Sequence, residues 1–139
     1  SEYENRNAIL YLSNVLKEKY IEKVRRGDFS DLSEVDAVSQ EYDKFYGQYA
    51  QHLGHYFRTM YNILKFIDSS EIKEEDKPIY ANLLRAQLSK QELALLLYNC
   101  VSLYGRKKML PLVRKYRLLK HVEDDSLADA GHIRLIDEI

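Results

Sequence analysis

Tryptophan is absent from this sequence, cysteine occurs once, proline twice, phenylalanine four times and glycine five times in 139 residues. Each shortage excludes something. With Cys100 alone, the chain can close no internal disulfide and build no cysteine-based zinc site. That usage fits a reducing compartment. So few prolines and glycines leave room for long, uninterrupted elements. No stretch approaches the roughly 20 apolar residues of a membrane span, and no secretory leader is visible. Lys and Arg number 21 against 22 Asp and Glu, a net charge of −1, so no overall field steers the chain to nucleic acid. There is no P-loop, no G-x-G-x-x-G and no Ser-His-Asp set, and nothing calls for a cofactor. His52 and His55 are too few ligands for a metal without carboxylates from another helix.

What the chain has is helical periodicity and tyrosine, twelve of them. A phenol packs like an aromatic but needs a partner for its hydroxyl, so the core should be shallow or lined with hydrogen-bonded phenols. Ile9, Leu12, Leu16, Tyr20 and Val24 predict a first helix over residues 2–26 that stops at Gly27. From Val35 to Ile67 apolar residues recur at three-four spacing without a slip, which predicts one long helix over about 33–67. Straight, it would run roughly 50 Å, longer than a small domain, so coiled-coil-like self-association is expected. Pro78 opens a short third helix. Ser89 and Glu92 form a capping-box pattern, so a helix break near Ser89 and a new, most apolar and central helix over 90–104 are expected. A last amphipathic helix is predicted over 107–121, with a short docked helix in 132–139. The expected fold is all-α: one bundle of about five helices, 1–139 forming a single domain.

The run His55-Tyr56-Phe57-Arg58 with Tyr61 and Ile63-Leu64-Lys65, then Tyr80, Arg85-Ala86-Gln87-Leu88-Ser89, Glu92-Leu93 and Tyr98-Asn99, resembles the phage abortive-infection (AbiC-like) family of bacterial proteins over residues 52–104. The resemblance implies an all-helical cytoplasmic domain, often preceded by transmembrane helices. It also implies a role in phage defence in which the infected cell stops growing or dies. The chain begins at Ser1, not Met, and a preceding membrane segment holding the domain at the inner face of the cell membrane is expected. The family supplies no assigned catalytic residues.

Three constellations are candidates. His55, Arg58, Arg85, Gln87, Glu92 and Asn99 are the polar members of the two runs. They either line a cleft in which the arginines bind an anion and His55 moves a proton, or tie the long helix to the bent helix pair as a buried network in which Glu92 is a cap. Arg114 and His121, with Arg117 between them, would share one face of the last helix. Arg114 and His121 also fit the R-x4–6-H pattern of the HEPN family of helical ribonucleases, although Lys115 follows the arginine where that family commonly has a small polar residue. That resemblance implies metal-independent RNA cleavage, the histidine assisting proton transfer and the arginine stabilising the phosphorane. The alternative is a solvated basic face. Finally, Arg106, Lys107, Lys108, Arg114, Lys115, Arg117 and Lys120 fall between Glu92 and Glu123 with no acidic residue among them. They form a patch for RNA, DNA or anionic lipid, or they face the chain's own acidic segments, 71–76 and 123–129.

The leading expectation is therefore a self-associating, membrane-tethered antiphage effector or accessory domain rather than an enzyme. The runner-up is a divergent HEPN-like RNA-binding protein or ribonuclease, related by architecture to membrane accessory proteins of RNA-targeting CRISPR systems. The expected partners are a second copy of the chain, RNA or another defence-system protein.

Overall fold

The computed structural model describes the backbone of residues 2–139 and side chains from residue 6 onward. Among the described residues there is no strand. The helices are α1 (Glu2–Arg25), α2 (Glu34–Gln48), α3 (Ala50–Ser69), α4 (Lys77–Ala86), α5 (Lys90–Val101), α6 (Leu103–Arg106) and α7 (Met109–Lys115). A 3-10 turn at Asp124–Ser126 and a 3-10 helix at Ala130–Glu138 complete the chain. The fold is all-α, as the periodicity predicted.

α5 is the axis. Every residue from Glu92 to Val101 is buried, and a helix apolar on all sides has to be enclosed. α1, α2, α6 and the C-terminal 3-10 helix pack around it. Both ends are capped. At the start, the Ser89 hydroxyl accepts from the Glu92 amide (3.1 Å), and the Glu92 carboxylate accepts from the Ser89 amide (3.1 Å). This is the reciprocal box that the sequence predicted. At the other end Ser102 donates to the carbonyl of Asn99 (2.7 Å) and accepts from the amide of Tyr104 (3.2 Å), so it closes α5 and opens α6. The helix expected to reach Tyr104 is thus re-capped at Ser102.

α1 ends as expected. Gly27 takes the left-handed φ of 77°, and the amides of Gly27 and Asp28 bond back to Val24 and Lys23, a glycine-capped Schellman turn.

The long helix is not continuous. Tyr49 (φ −120°, ψ 29°) separates α2 from α3, and its amide is shared between the carbonyls of Phe45 and Tyr46. α1 packs against both α2 and α3. Its 24 residues reach only about 36 Å at 1.5 Å per residue, so a straight 33–67 helix would overrun it. The break at Tyr49 divides the expected 33–67 helix into α2 and α3, and both pack on α1.

The last predicted helix is also shorter. α7 stops at Lys115 because Arg117 adopts φ 53°. The amides of Arg117 and Leu118 then bond to Arg114 and Val113, again a Schellman arrangement, and Leu118 turns into the core with no exposure. Burial of Leu118 outweighs the left-handed cost of about 1–2 kcal/mol for a non-glycine residue.

Gly105 is needed for close approach. A Cβ there would lie 2.2 Å from Asn99 Oδ1 and 2.7 Å from the Asn99 carbonyl oxygen. Gly105→Ala is expected to destabilise the fold by about 2–3 kcal/mol through overpacking, read as a lowered urea midpoint. Arg117→Gly should raise the midpoint by about 0.5–1 kcal/mol. An unchanged midpoint for Gly105→Ala would mean that α6 can move away from α5.

Candidate functional site

The six polar residues singled out around α3 and α5 do not form one site. α3 presents His55 and Arg58 on its exposed surface, and each edges into a different cleft. On one flank lies a groove of about 370 Å³ between α3, the end of α4, the start of α5 and Arg6 of α1, with His55, Gln87 and Glu92 in its wall. On the other lies a cleft of about 350 Å³ where α2 and α3 meet the α5–α7 corner, with Arg58, Asn99 and Lys108 in its wall. Arg85, half-buried in the last turn of α4, lines neither, and its Nη1 has no hydrogen-bond partner among the described residues.

The polar chemistry of the first groove is already committed to structure. Glu92, almost fully buried, caps its own helix, accepts from Tyr56 Oη (2.6 Å) and meets Arg6 Nε at 3.3 Å. Arg6 also donates to the carbonyl of Gln87. Burial first, then the Glu92 carboxylate, pushes the Tyr56 phenol far above its ordinary range. The same residues that distinguish this run therefore tie α1, α3 and α5 together.

The second cleft is different in kind. Its aromatic wall is Tyr46 stacked on Tyr104, ring centroids 3.8 Å apart at 22°, with Tyr61 across from them in the lining. Asn99 donates to the buried Tyr42 hydroxyl at 2.7 Å, which leaves its Oδ1 on the Gly105 side. Arg58 and the Tyr46 hydroxyl lie over Gly54, where a Cβ would come within 3.0 and 3.2 Å of them. Arg58 and Lys108 make no ion pair or side-chain hydrogen bond among the described residues.

The basic residues of 106–120 divide. Arg106 caps the α5 C-terminus at the Val101 carbonyl. Lys115 bonds Asp68 at 2.5 Å and stands 3.6 Å from Glu74, and that bond is the first cause of its raised pKa. Arg114 donates to the carbonyls of Ile136 (2.5 Å) and Ile139 (2.8 Å), anchoring the C-terminal 3-10 helix. Lys107, Lys108, Arg117 and Lys120 are exposed. His121 stands in the turn after α7 and is also exposed. Because α7 ends at Lys115, Arg114 and His121 do not share a helix face, and the Arg114 guanidinium is engaged by backbone carbonyls.

A third surface was not anticipated. α4 packs chiefly on α3 and buries only Lys77 and Ala81. Its outer side and the neighbouring part of α3 leave Phe66 (72%), Leu83 (60%), Ile79 (57%), Tyr80 and Ile63 exposed. The sequence offers only a weak signal for it, the apolar residues Leu83, Leu84 and Leu88 along one edge of α4.

His132 was also passed over. It is fully buried, edge-on to Tyr20 and Tyr98. The Tyr98 hydroxyl accepts from the Ala128 amide (2.8 Å) and lies 2.8 Å from His132 Nδ1. Donation from Tyr98 to Nδ1 puts the ring proton on Nε2, which faces Glu34 at 3.7 Å. Desolvation lowers the His132 pKa against a smaller raising effect of Asp129. Among the described residues no group of three His, Cys, Asp or Glu could hold a metal ion.

An all-α domain built around a capped, enclosed helix, with two polar clefts flanking α3, is thus defined. A family model described as "Putative phage abortive infection protein" matches residues 48–127, more than half of the chain. The chain belongs to this family. The match runs from the α2–α3 junction through α7 and includes both clefts' α3 walls and the apolar face of α4. No curated protein and no solved structure matches the chain.

Ser89→Ala should cost about 1 kcal/mol as a lost cap. Glu92→Ala should cost about 2–4 kcal/mol, because it also strands the Tyr56 hydroxyl and the Ser89 amide; unchanged or increased stability would mark Glu92 as a strained functional group instead. For His132 the folded pKa lies below the unfolded value of about 6.5. Its contribution is therefore complete above that value and is lost as pH falls through the folded pKa. Thermal stability should drop between pH 7.5 and 5.5, and His132→Gln should flatten that drop. The Glu34 carboxyl, raised by desolvation and then by Asp129, acts the opposite way at lower pH.

Proposed function

We propose that this chain is an antiphage-defence effector or accessory domain that works by assembling with further copies of itself through the α3–α4 face. Membership of the abortive-infection family supports the defence role. The observation that carries the assembly reading is the exposed apolar surface of Phe66, Leu83 and Ile79, with Ile63 and Tyr80 beside them. Large apolar side chains clustered on one face mark interaction sites on otherwise polar proteins. A ten-residue helix is also marginal in water without packing on its apolar side.

A second copy is the occupant that the charges favour. Asp76 stands at the N-terminus of α4 and Arg85 in its last turn. A two-fold axis through the middle of α4 would bring acidic ends against basic ends and Leu83 against Ile79 of the copy. Such a patch is self-complementary in the sense an isologous interface requires. In this reading the domain stands at the inner face of the cell membrane, held there by a segment preceding Ser1. No helix of the described residues is long and apolar enough to cross a membrane.

Light scattering on the purified chain tests the assembly. A dimer or larger species is expected, and Phe66→Glu with Leu83→Glu should convert it to monomer without loss of helicity. A wild-type chain that stays monomeric at about 100 μM, a concentration that saturates contacts of micromolar affinity, would contradict the reading.

A further inference from the structure

We propose that the cleft between α3 and the α5–α7 corner binds a nucleoside phosphate, free or within a single RNA strand. The base stacks on the Tyr104–Tyr46 ledge, and Arg58 and Lys108 hold the phosphate.

Four observations converge on this cleft. First, it carries positive charge without counter-charge. Arg58 and Lys108 line it and no carboxylate does. Each of the other clefts described has a glutamate in its wall: Glu41, Glu92 or Glu34. In a chain of net charge −1 that separation is local, and an anion entering the cleft displaces no resident partner. Second, the aromatic ledge is flat and open on one side. Tyr104 is 52% exposed although it stacks on Tyr46. Tyr42 meets the Tyr104 ring at an edge (6.3 Å), and a stacked ring that keeps half its surface exposed can serve as a platform for a base, a kind of stacking tolerant of base identity. Third, Asn62 and Asn99 add amide groups to the wall, and Asn99 is held in place by its bond to Tyr42 and by contact with Gly105. Fourth, the volume of about 350 Å³ falls within the size of small-ligand clefts. Lys107, next to Lys108 in the chain, is also exposed.

The neighbouring groove does not compete for this role, since Arg6 and Glu92 already neutralise each other there. An anionic lipid headgroup or bare phosphate would use Arg58 and Lys108 but would leave the stacked tyrosines idle.

The test uses the purified chain at low salt, about 50 mM, where phosphate contacts are strongest. The probes are ATP, inorganic pyrophosphate and a labelled oligouridine strand. With no tryptophan present, tyrosine emission is readable, the part of its change that Tyr104→Leu removes reports the ledge, and anisotropy reports the strand. ATP, the strand or both should bind, with tyrosine emission changing on binding. Binding to ATP alone identifies a free nucleotide as the source, and binding to the strand alone identifies RNA. Arg58→Gln combined with Lys108→Gln should weaken binding at least about tenfold. Tyr104→Leu, which keeps packing on Tyr46 but removes the ring, should weaken it about tenfold. Lys120→Gln, outside the cleft, should leave binding unchanged. The proposal is overturned if neither ATP nor the strand binds, if pyrophosphate binds as tightly as ATP, or if the cleft variants bind like the wild type.

Discussion

The enclosure of α5 is the constraint on which the rest of the structure depends. A helix buried from Glu92 to Val101 needs partners for its terminal amides and carbonyls, most of all at its enclosed C-terminal end. Ser89 and Glu92 do this at one end, and Ser102 with Arg106 at the other. Each capping group recruits a neighbour. Glu92 draws in Arg6 and Tyr56, and Asn99 in the last turn draws in Tyr42. Helices α1, α2 and α3 are thus located by hydrogen bonds to α5 as well as by apolar packing. The tyrosine-rich composition follows from this, since a phenol fills core volume and still reaches a buried acceptor.

The six polar residues of the two runs read differently in that light. His55, Arg58, Arg85, Gln87, Glu92 and Asn99 are close in sequence to one another or to the α5 cap. Glu92 and the Gln87 carbonyl are consumed in holding Arg6, while Asn99 is a bridge whose free oxygen faces Gly105. Arg58 alone of the charged members lines the cleft beside Lys108 and a stacked tyrosine pair. Structural and functional demands thus fall on different members of one motif, on opposite flanks of α3. The apolar outer side of α4, with Ile79, Tyr80 and Leu83 exposed, adds a third demand.

Much of the fold could be read from the residues. Gly27 and the Ser89–Glu92 box marked their helix ends because each signal has a local cause: a left-handed turn in one, reciprocal side-chain caps in the other. The break at Tyr49 left no such mark, because the apolar stripe continues through it. Arg117 was illegible for the opposite reason. Its residue type disfavours the left-handed turn, and only the pull of Leu118 into the core imposes it. That one turn parts Arg114 from His121 and gives Arg114 to the C-terminal carbonyls. His132 was hidden because a lone histidine in a C-terminal segment carries no period, and its partners Tyr20, Tyr98 and Glu34 come from three distant parts of the chain. The site was legible as a list of residues but not as a grouping, since grouping depends on which flank of α3 each one borders.

The central claim is that a folded, α5-centred domain acts in defence through the face that α3 and α4 leave uncovered. Phage challenge of cells producing the full-length protein tests it most directly. Wild-type protein should protect the culture, and Phe66→Glu with Leu83→Glu should abolish protection while the variant accumulates to the same level and keeps its melting temperature. Full protection by that variant would contradict the account.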